Sequence, residues 1–294
     1  MPELSEIPKI DFNPSNPASS SIEVVDLREL NKRKADLDHD IESQHRVRFN
    51  LIIYIREGSG SHFVDFTQRR FRAGSVIFIR RNQIHAFDLS SRPQGSAILF
   101  TNDFLELVLS HIKVPIFSSN VLHNDYSPVI NLSGSVQRSL ENLSSEISNQ
   151  LKLTSDGLDI VIHLFSSLLL LLEREKRPTA IPDSESHRKR QRKVAEFIAL
   201  IENEFTRTRS AADYADQLHI SYKTLNEFCK SVTQLTAKQL IDKYTILEAK
   251  RRLVLEDKPV QLLSSELGFD EETNFVKYFK KHTLLTPRKF RQSH

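Results

Sequence analysis

The feature that most constrains this 294-residue chain is an internal repeat near its end. The stretch YADQLHIS (214–221) aligns with LSSELGFD (263–270), which puts Leu218 on Leu267, Ile220 on Phe269 and Ala215 on Ser264. The offset is 49 residues, and one extra residue in the second copy makes it 50. Leu225, Cys229, Lys230, Thr233 and Thr236 then fall on Phe275, Phe279, Lys280, Thr283 and Thr286. A plain helical bundle would share the apolar period. It would not need the order small residue, leucine, turn, apolar plug twice, so two copies of one supersecondary unit are expected.

Each copy reads as a helix-turn-helix unit, over 210–232 and 259–282. In the first, Ser210 and Asp213 form a capping box. Tyr214, Ala215 and Leu218 make the apolar face, His219 takes the turn and Ile220 plugs the core. A second helix starts near Ser221 and buries Leu225, Phe228 or Cys229, and Val232. In the second copy Pro259 suits a first helical turn. Leu263, Ser264 and Leu267 repeat the face, Gly268 supplies a turn residue tolerant of positive φ, and Phe269, Phe275 and Phe279 fill the core. Between the copies, residues 236–255 open with a further capping box, Thr236 and Gln239. About 20 residues at roughly 1.5 Å each give a rod of ~30 Å. Successive major grooves on one DNA face lie about 34 Å apart. The expectation is one stiff helix offering two recognition helices to adjacent grooves.

Charge is divided in the same sense. From residue 187 onward there are 21 Lys/Arg and 14 Asp/Glu, whereas residues 1–186 hold 20 and 24. A basic C-terminal third on an acidic body suits a polyanion-binding module joined to something else. No run of about 18 apolar residues is present, so no ordinary transmembrane helix is expected. No secretory signal is visible, and the lone Cys229 can form neither an internal disulfide nor a cysteine zinc site, which suits a reducing cytoplasm.

The remainder divides by texture. Residues 1–20 carry four prolines and read as a flexible leader. From 21 to 105, runs such as FNLIIYIR (49–56), HFVDF (62–66) and SVIFIR (75–80) alternate with glycine and polar clusters, the pattern of an all-β sandwich or barrel. Residues 106–177 turn helical, and the apolar segment IVIHLFSSLLLLLE points to dimerisation through 135–176, the alternative being an internal helix packed on the β domain. A linker at 178–190 leads to a helical domain over 191–294.

Residues 190–292 resemble the DNA-binding domain of the AraC/XylS family of bacterial transcription regulators. The family's second half reads A-x-x-x-G-F-x-x-x-x-x-F-x-x-x-F-K-x-x-x-G-x-T-P-x-x-[FY]-R, against SSELGFDEETNFVKYFKKHTLLTPRKFR (264–291) here. Leu284 and Gln234 stand where glycine is usual, and Ala237 stands where proline is usual. The resemblance implies base contacts from Lys223, Asn226 and Glu227 in the first copy and from Glu272, Thr273 and Lys277 in the second. Asn pairs with adenine, Glu accepts from cytosine N4, and Lys donates to guanine. Lys230, Lys280, Lys281 and Arg288 are expected at phosphates. Residues 46–87 resemble the family's cupin-like sensor domain, with Gly74 and His85 in a G-x10-H segment. The implied fold class is α+β multidomain: an N-terminal cupin-like β-barrel and helices, then an all-α tandem helix-turn-helix domain.

A small barrel encloses one small ligand, and Arg46, Arg48 and His85 are its expected contacts. Metal-binding cupins carry an H-x-H pair, but Arg46 and Val47 follow His45, and His39, His45 and His85 do not make a metal site. No metal or other cofactor is expected. The function implied is a sequence-specific DNA-binding transcription regulator, an activator controlled by a small-molecule effector in its N-terminal domain, with double-stranded promoter DNA, the effector, a second copy and, for an activator, RNA polymerase as its partners. The competing reading, a cupin-type metal-dependent enzyme with a helical appendage, lacks its usual ligand set, and no G-x-S-x-G, P-loop, Rossmann or H-E-x-x-H motif is present.

Overall fold

The computed structural model describes residues 8–14, 21–32, 40–112, 127–153, 158–176 and 185–293, and these fall into two compact units. His39 lies outside the described residues.

The N-terminal unit holds two five-stranded sheets. One has the order β1 (Lys9–Ile10), β3 (His45–Val47), β8 (Ile84–Phe87), β5 (Gly60–Val64), β6 (Thr67–Phe71). The other has the order β10 (Val129–Asn131), β7 (Ser75–Ile79), β4 (Asn50–Glu57), β9 (Gln94–Phe100), β2 (Ile22–Asp26). The expected barrel is therefore built as two sheets sharing one core, not closed on itself among the described residues. Leu51, Ile53 and Ile55 of β4 meet Val64, Phe71 and Phe87 of the other sheet in that core. Alternation in β4 is hidden because its other face is covered too. The Tyr54 hydroxyl donates to Glu141 (2.8 Å) in α3 (Gly134–Gln150). Burial and that carboxylate hold the phenol well above its usual pKa. Phe165 of α4 (Leu158–Lys176) meets Phe100 at 4.9 Å and Phe104 of α2 (Asn102–His111) at 5.4 Å. Gly95 is needed at the β4–β9 bulge, since a Cβ there would lie 1.9 Å from the Tyr54 carbonyl oxygen.

Two stretches differ from the sequence reading. Within the leader, Lys9 and Ile10 pair in parallel with Arg46 and Val47. Within the helical region, β10 returns to pair antiparallel with β7. Both are short edge strands whose pairing is set by distant partners, which local periodicity does not register.

The C-terminal unit is all helix: α5 (Glu185–Glu204), α6 (Ala211–Gln217), α7 (Tyr222–Thr233), α8 (Ala237–Leu255), α9 (Val260–Glu266), α10 (Glu272–Thr283) and α11 (Pro287–Ser293). α5 starts inside the expected linker, because Glu185 in its first turn and the Arg, Lys and Gln residues after it are good helix formers. Of the two expected capping boxes, Thr236 and Gln239 form a reciprocal one. At Ser210 only half forms: its hydroxyl accepts from the Asp213 N–H, while the Ser210 N–H donates to the Thr208 hydroxyl, which in turn donates to the Asp213 carboxylate. Ser221 caps the next helix by accepting from the Thr224 N–H. Leu218, Leu225, Cys229, Leu263, Leu267, Phe275 and Phe279 are all buried. Burial pushes the Cys229 thiol up to about 12, so it serves as a core filler opposite the position of Phe279 in the repeat.

Candidate nucleic-acid interface and effector site

α7 and α10 are the second helices of the two units, and each buries one stripe and exposes another. Leu225 and Cys229 face the core from α7, leaving Lys223, Glu227 and Lys230 exposed. Phe275 and Phe279 do the same in α10, leaving Thr273, Lys277, Lys280 and Lys281 exposed. Arg288, on α11, is exposed as well. Eight of the ten residues expected at DNA thus lie on solvent-facing positions.

The other two sit differently. Asn226 is half-buried, and its Oδ1 accepts from the Ala237 N–H at 3.0 Å. A bidentate adenine contact uses both amide atoms, so base reading by Asn226 competes with this bond. Glu272 is half-buried, one helical step off the exposed stripe, while Asn274 is exposed. The helix phase, fixed by where α10 begins, puts Asn274 on the solvent-facing stripe, a position that residue-by-residue matching passes over. Tyr222, at the start of α7, is exposed as well.

Both reading helices are tied to α8. Asn226 holds α7 at Ala237, and Tyr278 holds α10 through a 2.7 Å bond from its hydroxyl to Asp242. Lys238 reaches the same carboxylate at 2.5 Å, and His282 Nε2 lies 3.9 Å from it. Burial, then the Asp242 hydrogen bond, keeps the Tyr278 phenol far above its ordinary pKa. Ala237 and Asp242 are only about 7.5 Å apart along the helix. Both anchor points thus lie in the first two turns of α8. The far end of α8 is closed by Arg291, which donates to the Leu253 carbonyl at 2.9 Å and to the Lys258 carbonyl at 2.7 Å.

In the N-terminal unit three histidines line the inner face of one sheet. His45, His62 and His85 are all buried. His62 Nε2 lies 3.2 Å from His85 Nδ1, and the His45 and His85 rings are 4.3 Å apart. Burial, with His45 beside it, lowers the His62 pKa to about 3, so this ring is neutral at neutral pH. Among the described residues no group of three or more His, Cys, Asp or Glu is arranged to hold a metal ion. Of the expected effector contacts, His85 belongs to this inner face. Arg46 takes the alternate position of β3, and Arg48, just past the end of that strand, is exposed and paired with Asp11 at 3.2 Å. The structure does not bring these three together. His62 escapes sequence reading because a single histidine in a short strand carries no pattern.

This architecture defines a two-domain regulator with a tandem helix-turn-helix reading unit. Comparisons agree. The helix-turn-helix domain family matches residues 214–293, and the AraC-like ligand binding domain family matches residues 34–161. Relatives include the HTH-type transcriptional activator RhaS of Salmonella heidelberg, 20% identical over 294 residues, covering 98% of each chain. RhaS of Pectobacterium carotovorum is 22% identical over 251 residues, covering 84% of this chain and 87% of the relative. Among solved structures, unsaturated fatty acid bound ToxT from Vibrio cholerae matches at 15% identity with a TM-score of 0.41, covering 92% of this chain and 94% of that one. The chain belongs to the AraC/XylS family of transcription regulators.

Proposed function

We propose that this regulator activates transcription from promoter DNA, as a homodimer, under the control of a small molecule bound in its N-terminal unit. The observation that carries the DNA reading is the doubled exposed face. Two helices in equivalent repeat positions keep polar and cationic residues outward, Lys223 and Lys230 on one and Lys277, Lys280 and Lys281 on the other. One head enters each of two major-groove segments on one side of the duplex. Lys223, Glu227, Thr273, Asn274 and Lys277 meet base edges, and Lys230, Lys280, Lys281 and Arg288 meet phosphates.

Activation rests on the relatives named as transcriptional activators, and it requires contact with RNA polymerase. Dimerisation rests on α4, whose exposed face carries the apolar residues Leu158, Ile160 and Leu170. Effector control requires different affinity for two arrangements of the chain, since equal affinity shifts nothing. The role is binding, not catalysis, in the cytoplasm. No helix of the described residues is long and apolar enough to cross a membrane. The test is genomic footprinting of the bound chain followed by transcription from the recovered promoters. Protected promoters whose output rises with the chain support the reading; no protected site overturns it.

A further inference from the structure

The first turns of α5 carry a cation cluster that neither reading helix uses and that lies outside both family matches. Five of the six residues from 188 to 193 are Lys or Arg, and no acidic residue occurs between Glu185 and Glu196. Lys189, Arg190 and Arg192 are exposed. Lys193 pairs with Glu196 at 2.6 Å, but Lys189, Arg190 and Arg192 have no acidic partner among the described residues.

Folding alone does not favour this arrangement. Lys189 and Lys193 are four residues apart, and Lys189 and Arg192 three apart, spacings at which like charges repel. The cluster also contributes nothing to the core, because the first buried residue of α5 is Val194. Local rules broken without a compensating packing gain mark a site kept for binding.

Position identifies the ligand. α5 packs along α7, and also touches α6, where Phe197 meets Tyr214 at 5.5 Å, and α8, where Phe205 just past its end meets Tyr244 at 5.2 Å. Packed helices lie about 8–10 Å axis to axis, and a major groove is about 12 Å wide. With α7 in the groove, a helix beside it runs abreast of a flanking phosphate row. We propose that Lys189, Arg190 and Arg192 form a third DNA contact, a phosphate clamp beside the first reading head. This rests on the DNA-binding reading above.

Phosphate contacts are independent of sequence, so a duplex of arbitrary sequence is a sufficient probe. Binding of the full chain is measured by fluorescence anisotropy between about 50 and 200 mM salt. The variant Lys189→Gln, Arg190→Gln, Arg192→Gln should flatten the slope of log K against log salt by about 2 to 3. A charge-keeping variant, Lys189→Arg with Arg192→Lys, should hold the original slope. All three positions are exposed, and removing like charges at three- and four-residue spacing predicts no fall in Tm. An unchanged slope in the glutamine variant, or weaker binding with the slope intact, overturns the clamp while leaving the reading heads standing. A wild-type chain that binds no duplex at all overturns both.

Discussion

The two helix-turn-helix copies share one plan but solve its tight places by different chemistry. The turn between helices needs a left-handed residue in each: His219 at φ 54° in the first and Gly268 at φ 77° in the second. His219 is exposed, so a side chain fits. At Gly268 a Cβ would lie 1.8 Å from the Thr206 carbonyl oxygen, so only glycine fits. The next helix starts differently too. In the first copy its first residue is Ala237, whose orphan N–H is satisfied by Asn226. In the second copy the equivalent residue is Pro287, which has no N–H, and the position of Asn226 is taken by Val276. The absence of the family's proline in the first copy is thereby compensated within the same copy. What the comparison teaches is that a repeat conserves backbone demands, and side chains change in pairs to meet them.

The largest expected effect breaks the turn asymmetry. Gly268→Ala combines a left-handed penalty of roughly 1–2 kcal/mol with a backbone overlap of roughly 1–3 kcal/mol, so we expect a loss of about 3 kcal/mol or more. His219→Gly, by contrast, should change stability by less than about 1 kcal/mol, in the stabilising direction. Chemical denaturation of both variants measures the contrast; equal losses would refute it.

Next is the reading face. Lys277→Ala should cost ~1–3 kcal/mol of DNA affinity and relax preference at one base pair. Selection of bound sequences from a random pool reads that out, and unaltered preference would remove Lys277 from the base contacts. The paired exchange comes third. Asn226→Val should destabilise by about 1–2 kcal/mol, since a largely buried N–H loses its acceptor. Adding Ala237→Pro should restore most of that loss, because Thr236 already has the extended backbone that proline tolerates before it. A double variant no more stable than the single one would contradict the compensation. The smallest effect concerns the helix ends. Gln234 and Leu284 adopt φ 61° and 64°, so the left-handed caps survive without glycine. Leu284 is also 85% exposed. Leu284→Gly should stabilise by about 0.5–1 kcal/mol, seen as a higher Tm.

These pairs also explain what was legible in the sequence. The repeat, its caps at Ser210, Ser221 and Thr236, and its buried stripes depend on neighbours within about one helical turn, so periodicity carries them. The Asn226 bond to the Ala237 N–H is not legible locally, because its partner lies 11 residues on, in another helix. The half-burial of Glu272 and the exposure of Asn274 depend on where α10 starts, which residue matching does not fix. In the N-terminal unit, β4 is apolar on both faces, one toward the sheet core and one toward α3, so its sequence could not orient it. The convergence of His45, His62 and His85 depends on strand register across three strands, His45 opposite His85 and Val64 opposite His85. Register of that kind is written in long-range pairing, not in local pattern.

Chemical protection of a bound promoter, read at guanine N7 in the major groove, tests most directly whether both copies read DNA. The account predicts two protected patches on one face of the duplex, about one helical turn apart, the α7 patch lost with Lys223→Ala plus Glu227→Ala and the α10 patch lost with Thr273→Ala plus Lys277→Ala. A single patch, or two patches that vanish together with either pair of substitutions, would contradict it.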